Sequence, residues 1–432
     1  MAARKKSAEQ TEILAKARKY LPAGHFGNIG LDCVITDGRG GRVKDAAGNE
    51  YVDYILGSGP MLVGHAHPEV LAATHARLDR GSTFFAVNDA GVELAEMIVN
   101  AVPCAEKLRY TSSGTEATLY AMRAVRAYRK RERILKFEGG FHGMNDYALM
   151  SMSPKRRANS PEPAPDSAGI PQVVRGEVLI APFNDLAAAT ALIEKHHDEL
   201  AGVIIEPFQR VISPKPGFLQ GLRDVTAKYK VPLVFDEIVT GFRFAYGGAQ
   251  ELYGVTPDLC TLGKVIGGGF PLAAVVGKAA ILDHFDKAAV GDEGFMPQIG
   301  TLSGNPIAAA AGLATLKILQ RPGSYEKIRA TGEKLMAGFR DLFRSGGIPA
   351  QITGVGSLFD IVFTDKPIVD YWSTAEADQA MLGRFNQALL ENGVLKGNTK
   401  FYVSLAHTDE DVKKTLDAAG VAIAGLKTGK AA

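Results

Sequence analysis

Lys264 sits between an apolar approach and three consecutive glycines, in Leu262-Gly263-Lys264-Val265-Ile266-Gly267-Gly268-Gly269. A lysine becomes a nucleophile when its amine loses a proton, and desolvation favours that loss. The glycines let backbone approach a flat ligand closely. About one crossover earlier, Val231-Pro232-Leu233-Val234-Phe235-Asp236-Glu237 is a short apolar run ending in acid. It reads as a buried strand, and the ligands of a parallel sheet collect beyond the carboxyl ends of its strands. Asp236 is therefore expected to face a ligand. Taken singly, Lys264 also fits a surface lysine before a hinge, and Asp236 a helix cap. Two further motifs tilt the reading toward chemistry.

Ser113-Gly114-Thr115 lies between a strand and a helix start. First-turn N–H groups, the positive end of the helix dipole and two hydroxyls make a phosphate site there, although such a sequence is also a common helix cap. No Walker lysine pattern and no Gly-x-Gly-x-x-Gly after a strand is present, which disfavours a nucleoside triphosphate or a dinucleotide. Gly139-Gly140-Phe141-His142-Gly143 adds an aromatic ring. A phosphate cradle, a stacking ring, a carboxylate for a pyridine nitrogen and a lysine for an aldehyde together describe pyridoxal 5′-phosphate. On this reading Asp236 keeps the pyridinium protonated, and Lys264 forms a Schiff base and then moves a proton.

These residues need a scaffold, and the chain predicts one. Strands are expected at Lys107–Thr111, Arg133–Phe137, Val178–Ala181, Val203–Ile205, Leu233–Phe235, Leu259–Leu262 and Leu272–Val276. Helices to about Lys130, over Leu186–His196 and over Phe218–Tyr229 alternate with them, which argues an α/β fold with a mostly parallel sheet covered on both faces. Ser7-x-x-Gln10 is a capping box opening a helix to Tyr20, and a hairpin spans Val34 to Leu56. Pro68 starts a helix to Leu78, and Asn305-Pro306 caps a long one. The C-terminal part reads as α+β: two strands within Ile348–Thr364, a helix Ala375–Glu391, a strand Phe401–Leu405, and a helix opened by Thr408-x-x-Asp411. Residues 1–60 are assigned to an N-terminal segment packing with a small domain, 61–310 to a large domain and 311–432 to the small domain. Ser153–Gly176, with five prolines, is too long for a routine connection and reads as a surface loop or an active-site lid.

With 432 residues, 46% apolar and 22% charged, the chain has an ordinary globular composition. A formal charge of +2 gives no argument for a nucleic-acid or acidic-membrane partner. No apolar run is long enough to span a bilayer, and the basic Met1–Lys6 has no apolar stretch after it, so no signal peptide is expected. Cys33, Cys104 and Cys260 have no metal spacing and read as reduced thiols of a cytoplasmic protein. Neither His65-x-His67 nor His196-His197 comes with further ligands, so no metal is expected. The segment after Leu426 reads as a frayed tail.

The chain resembles the class III aminotransferases of pyridoxal-phosphate fold type I, nearest the branch that holds glutamate-1-semialdehyde 2,1-aminomutases. The resemblance rests on Gly64-His65-Ala66-His67-Pro68, Ser112–Ala117, Gly140–Gly143, Glu206-Pro207, Phe235–Arg243, Pro257-Asp258, Leu262-Gly263-Lys264 and Gly300–Pro306, in family order. It implies Lys264 as the Schiff-base lysine, Asp236 at the pyridine nitrogen, and Ser113, Gly114 and Thr115 at the phosphate. Phe141 would stack on one ring face with His142 beside it, and Ile238 would pack on the other. Thr301 would reach the phosphate of a partner subunit's cofactor, implying a homodimer with composite sites.

The resemblance also carries departures. Relatives acting on ornithine or 4-aminobutyrate carry Gln where Val239 stands, and an acidic gate where Val211 stands. Aminomutases carry an arginine for the substrate carboxylate near the place of Gly30, yet Pro22–Leu31 contains no Arg or Lys. A carboxylate clamp is not expected there, and Lys400 and Arg243 are the remaining basic substitutes. Amines are therefore expected to be accepted as well as amino acids, and glutamate-1-semialdehyde poorly. The leading expectation is an aminotransferase moving an amino group between an amine or amino acid and a ketone, aldehyde or keto acid. The alternatives are an aminomutase or epimerase using the same residues, and a non-catalytic phosphate-ligand-binding protein.

Overall fold

The computed structural model describes residues 4–157 and 160–428; the reading of Met1–Ala3 and the end of the proposed tail lie outside them. The chain forms two compact units. One gathers the N-terminal segment to Pro68, Arg321–Pro367 and the chain from Ser373 on; the other comprises Glu69–Gln320 and Ile368–Trp372.

In the first unit, Ser7 caps the helix Ala8–Tyr20 by accepting from the Gln10 amide. Only half of the capping box forms, because the Gln10 side chain accepts from the Val34 amide instead. That bond ties the helix to the hairpin strands β1 (Ile35–Arg39), β2 (Arg42–Asp45) and β3 (Glu50–Asp53), which pair antiparallel in sequence order.

The second unit is built on seven strands: β4 (Lys107–Thr111), β5 (Arg133–Phe137), β6 (Val178–Ala181), β7 (Leu200–Ile205), β8 (Leu233–Asp236), β9 (Leu259–Leu262) and β10 (Ala273–Gly277). Their spatial order is β4-β10-β9-β8-β7-β5-β6. The ladders from β6 to β9 are parallel, and β10 runs antiparallel to both β9 and β4. Strands β6 to β10 are buried at every position, as a sheet covered on both faces requires. The fold is α/β of fold type I, with a mostly parallel central sheet. The helix Gly114–Arg129 crosses from β4 to β5, and its Ala117, Ala121 and Val125 join Ile204 and Val234 in the core.

The sequence reading omitted the helix Asp89–Ala101, which Asn88 caps by accepting from Gly91. The described part of Ser153–Gly176 is bonded along the edge strand: Ile180 donates its amide to Pro161, and Ser160 its hydroxyl to Ile180. Asp166 further accepts the amides of Met152 and Ser153.

The rest of the first unit comprises β11 (Gln351–Val355), β12 (Leu358–Val362), β13 (Val394–Leu395) and β14 (Phe401–Tyr402). Strand β13 adds parallel to β3, and β11-β12-β14 form an antiparallel sheet. Phe359 and Phe401 stack at 4.9 Å, under Phe339 of the long helix Ser324–Gly346. The expected helix from Ala375 to Glu391 begins later, as Gln379–Glu391, because the Asp378 carboxylate caps it by accepting from Met381. The last helix, Asp409–Thr428, has the reciprocal Thr408–Asp411 bonds that its sequence predicts. Among the described residues no helix is long and apolar enough to cross a membrane.

Gly332 allows the long helix to lie against the backbone of Gly356: a Cβ there would stand 1.6 Å from the Gly356 carbonyl oxygen. Gly383, in the helix Gln379–Glu391, has nothing within 4 Å of a Cβ. The two Gly→Ala substitutions should therefore have opposite signs. Gly332→Ala should destabilise by about 3 kcal/mol or more, since backbone cannot yield as a side chain does. Gly383→Ala should stabilise by roughly 0.5–1 kcal/mol through helix propensity. Urea-unfolding midpoints of the two variants check this, and a shift in the same direction for both would contradict the packing argument.

Candidate active site

The residues singled out in the sequence follow the carboxyl ends of strands that share one direction. Ser113–Thr115 follow β4, Gly139–Gly143 follow β5, Glu206 follows β7, Asp236 ends β8, and Lys264 follows β9. Their common direction thus delivers five separate stretches to one edge of one sheet.

Asp236 is only 5% exposed, and three donors fix its carboxylate. The Ile238 amide and the Thr261 hydroxyl donate to Oδ1, each at 3.1 Å. His142 Nδ1 lies 2.8 Å from Oδ2. With the carboxylate ionised, Nδ1 carries the proton and donates, which leaves Nε2 as an acceptor. That Nε2 is buried without a hydrogen-bond partner among the described residues.

Ser113 and Glu116 form a full capping box, in which Glu116 accepts the amides of Ser112 and Ser113. The amides of Gly114 and Thr115 come next in the first turn, where an N–H has no intrahelical acceptor. The Ser113 hydroxyl accepts from Glu116, and the Thr115 hydroxyl accepts from the Met144 amide at 3.1 Å. Neither hydroxyl donates to another group among the described residues, so both can donate to an anion.

Ile238 connects the cradle to the lysine. A Cβ on Gly114 would stand 3.2 Å from its side chain, and one on Gly263 would stand 3.0 Å from it. Lys264, half-buried, follows Gly263 with φ +47° and opens a short 3-10 turn. A lysine in the left-handed region is uncommon, and such backbone clusters at functional sites.

The loop carrying Phe141 and His142 is fastened on three sides. A Cβ on Gly143 would meet Thr115 Cα at 2.7 Å, and the Thr118 hydroxyl donates to the His142 carbonyl at 2.6 Å. Glu206 accepts the Phe141 amide at 2.9 Å. Beneath the loop, the fully buried Lys136 of β5 donates to the carbonyls of Gly140 (3.2 Å), Ala148 (3.0 Å) and Met150. Phe141 itself is 37% exposed, with the Arg210 guanidinium over its ring at 4.9 Å. Lys136, Thr261 and Arg210 escaped the sequence reading, although a lysine inside the apolar run Ile134-Leu135-Lys136-Phe137 was a signal. Arg243, considered as a substrate contact, is fully buried.

Thr301 stands apart from these residues. It lines an exposed groove with Phe84, Phe85, Arg109, Tyr110 and Ile299, whose lining includes none of Ser113, Asp236 or Lys264.

A family model described as aminotransferase class III matches residues 26–423. Glutamate-1-semialdehyde 2,1-aminomutase 2 of Brevibacillus brevis is 42% identical over 423 residues, which cover 95% of this chain and 97% of that relative. Among solved structures, an omega-transaminase from Sphaerobacter thermophilus matches with a TM-score of 0.91 at 35% identity, covering 98% of each chain. A transaminase with bound pyridoxal phosphate matches with a TM-score of 0.90 at 27% identity, covering 99% of this chain and 100% of that one. The chain belongs to the class III aminotransferases, and pyridoxal 5′-phosphate is the cofactor of this enzyme. The residues fit that group: a compensated buried carboxylate, first-turn amides beside two hydroxyls, and Ile238 packed against both the glycine of that turn and the glycine that precedes Lys264.

Burial pushes the Lys136 amine down to about 7, against the countervailing charge of Asp166 and Glu206 and with Arg210 adding to the push. Burial outweighs these charges, so the amine changes charge near neutrality and not near pH 10. Between about pH 7 and 10.4 the unfolded chain then binds more protons than the folded one at this residue, and stability from this group rises with pH. Comparing stability–pH curves of the wild type and Lys136→Met should show a difference growing with pH, by up to about 1.4 kcal/mol per unit. Parallel curves across that window would show that Lys136 does not titrate there.

Proposed function

We propose that this enzyme is an aminotransferase that moves an amino group from an amine or amino acid donor to a ketone, aldehyde or keto acid acceptor. The observation that carries the reading is the convergence on Ile238: Asp236, held by three donors, on one side and Gly263-Lys264 on the other, with the Gly114 cradle closing the third. Pyridoxal phosphate, when bound, supplies an electron sink for the carbon that bears the amino group. Lys264 Nζ would hold the cofactor covalently and, when its amine is free, would act as the base that moves the proton. The Asp236 carboxylate would hold the pyridine nitrogen and keep a proton on it. Thr261 and the Ile238 amide hold that carboxylate in register, and His142 adds a third donor. Gly114, Thr115 and Ser113 would bind the phosphate, with Phe141 against one ring face and Ile238 against the other.

Isomerisation is the second reading, supported by the 42% identical relative named an aminomutase. Against it stands Pro22–Leu31, which contains no Arg or Lys for a substrate carboxylate. The two differ in whether the first carbonyl product leaves. Incubating the enzyme with an amino donor alone should convert the cofactor to its amine form, with stoichiometric carbonyl product released into solution. A keto acid should then restore the starting spectrum. Turnover of glutamate-1-semialdehyde with no released intermediate would instead support the isomerase.

Two substitutions test the residue roles. Lys264→Ala should abolish turnover while pyridoxamine phosphate still binds, because the cradle is untouched. Asp236→Asn should bind cofactor and lose on the order of 10²-fold or more in kcat, the usual cost of removing a preorganised charge. Wild-type rates in Asp236→Asn would reduce Asp236 to a structural cap.

Thr301 belongs to a homodimer in this proposal. The groove around it exposes Phe85 (69%), Val87 (89%) and Ile299 (80%), an apolar surface of the kind that partners cover. Sedimentation should give a dimer, and Thr301→Ala should weaken cofactor retention. An active monomer at assay concentration would contradict this. The three buried free cysteines suit a reducing, cytoplasmic setting.

A further inference from the structure

Arg210 lies at the tip of a tight turn in which Ile212 donates its amide to Gln209, just after the carboxyl end of β7. Its φ is +61°, in the left-handed region. Turns of this shape favour Gly, Asn or Asp, so an arginine there works against local preference. Two contacts fix its side chain. Nε donates to the Gly139 carbonyl at 3.1 Å, and the guanidinium lies 4.9 Å from the centroid of the Phe141 ring. Both belong to the loop that leads to His142 and Asp236.

The outer end of the guanidinium makes no such bond to the described residues. Neither terminal nitrogen of Arg210 has a hydrogen-bond acceptor among the described residues, and no carboxylate of those residues forms an ion pair with it. The nearby acids are engaged elsewhere: Glu206 accepts from the Phe141 amide, Glu138 from the Trp372 indole, and Asp166 from two backbone amides. Lys136, the neighbouring cation, donates to three carbonyls. Tyr371 walls the same corner, since a Cβ on Gly139 would stand 2.5 Å from its ring. A half-buried guanidinium with its Nε and one face engaged presents two parallel N–H groups, the geometry that matches a carboxylate.

We propose that Arg210 is the carboxylate contact of the substrate site, so that the enzyme prefers amino acids and keto acids over the corresponding simple amines and ketones. The inference rests on the aminotransferase reading and revises the expectation, drawn from the bare Pro22–Leu31 segment, that amines are accepted equally. Arg210 replaces Arg243 and Lys400 as the basic residue that reads the acid. The terminal N–H groups bind the carboxylate while the Phe141 ring keeps the fork in its plane; no bond is made or broken at Arg210.

The test uses the cofactor-loaded enzyme and two non-reacting probes, 3-phenylpropionate and its neutral amide, with dissociation constants measured by calorimetry. In the wild type the acid should bind at least about 10-fold more tightly than the amide, since a charge-assisted pair contributes that much or more. Arg210→Gly and Arg210→Gln should remove the preference and leave the amide's affinity within about 3-fold. Arg210→Lys should restore part of it, as a charge without the fork. Because glycine relieves the left-handed backbone, Arg210→Gly should melt no lower than the wild type. Equal affinity of acid and amide in the wild type, or equal losses for both in the variants, would overturn the proposal. So would a lower melting temperature in Arg210→Gly together with a retained acid preference. A wild type that carries the cofactor's visible absorbance and exchanges amino groups, yet ignores the carboxylate, fails this inference alone. A wild type without amino-group exchange fails the functional reading beneath it.

Discussion

A carboxylate taken out of water must be compensated, and the compensation of Asp236 organises much of its unit. Its three donors come from three places: Ile238 two residues on, Thr261 on β9, and His142 on the loop after β5. One acid therefore couples strands β8 and β9 to a loop that starts two strands away, because β7 lies between β8 and β5. Burying a charge without such partners costs several kcal/mol, so the loop and the strands are not independent choices. The register of β8 and β9, with Asp236 opposite Thr261, is what brings the hydroxyl to the acid. A one-residue slip would turn one side chain to the opposite face of the sheet.

The loop is in turn part of the helix that follows β4. Thr115 and Thr118 lie on consecutive turns of that helix; one accepts from Met144 and the other donates to the carbonyl of His142. The same helix buries Ala117, Ala121 and Val125 in the core. Core packing thus sets the position of the first-turn amides, and the threonines pass that position to the aromatic loop. Lys136 completes the arrangement from below, where a fully buried cation is tolerable because three carbonyls take its three protons. Geometry of this kind resists displacement: moving the loop by an ångström would leave several buried polar groups unpaired at once.

What was legible in the sequence follows from which forces are local. Caps at Ser7, Asn305 and Thr408 are set by residues a turn apart, and all three helices begin where those residues stand. The central strands announced themselves as apolar runs because both faces of the sheet are covered. The helix Asp89–Ala101 was hidden by Gly91, a poor helix former whose missing Cβ leaves room for the backbone of Gly304 at 3.3 Å. Ala375-Glu376-Ala377 has helical propensity, yet Asp378 takes the Met381 amide and caps the helix that starts after it. Propensity lost there to a single side-chain bond. The reversed direction of β10 could have been read, because Gly263–Leu272 is too short for a parallel crossover. Chemistry-bearing residues with recognisable neighbours, such as Lys264 before its glycines, were visible. Thr261 was not, because nothing in its own strand says which acid it will meet.

Arg210 and Lys264 share a property that neither motif nor periodicity reveals. Both are long cationic side chains on left-handed backbone, at φ +61° and +47°, in short turns directly beyond the carboxyl ends of parallel strands. A strand that continued in extended conformation would carry each side chain alternately to the two faces of the sheet. A left-handed residue reverses the chain abruptly and separates the side chain's direction from that alternation. The backbone cost, about 1–3 kcal/mol for each, is sustained because the flanking strands are buried throughout and cannot relax to relieve it. In Lys264 the turn also uses Gly263, whose missing Cβ admits Ile238. In Arg210 it uses the Gln209–Ile212 bond, while the Gln209 amide group donates to Glu138 at the base of the aromatic loop. The two cations are therefore carried by backbone that the sheet holds rigid, and neither needs a flexible loop to be ordered first.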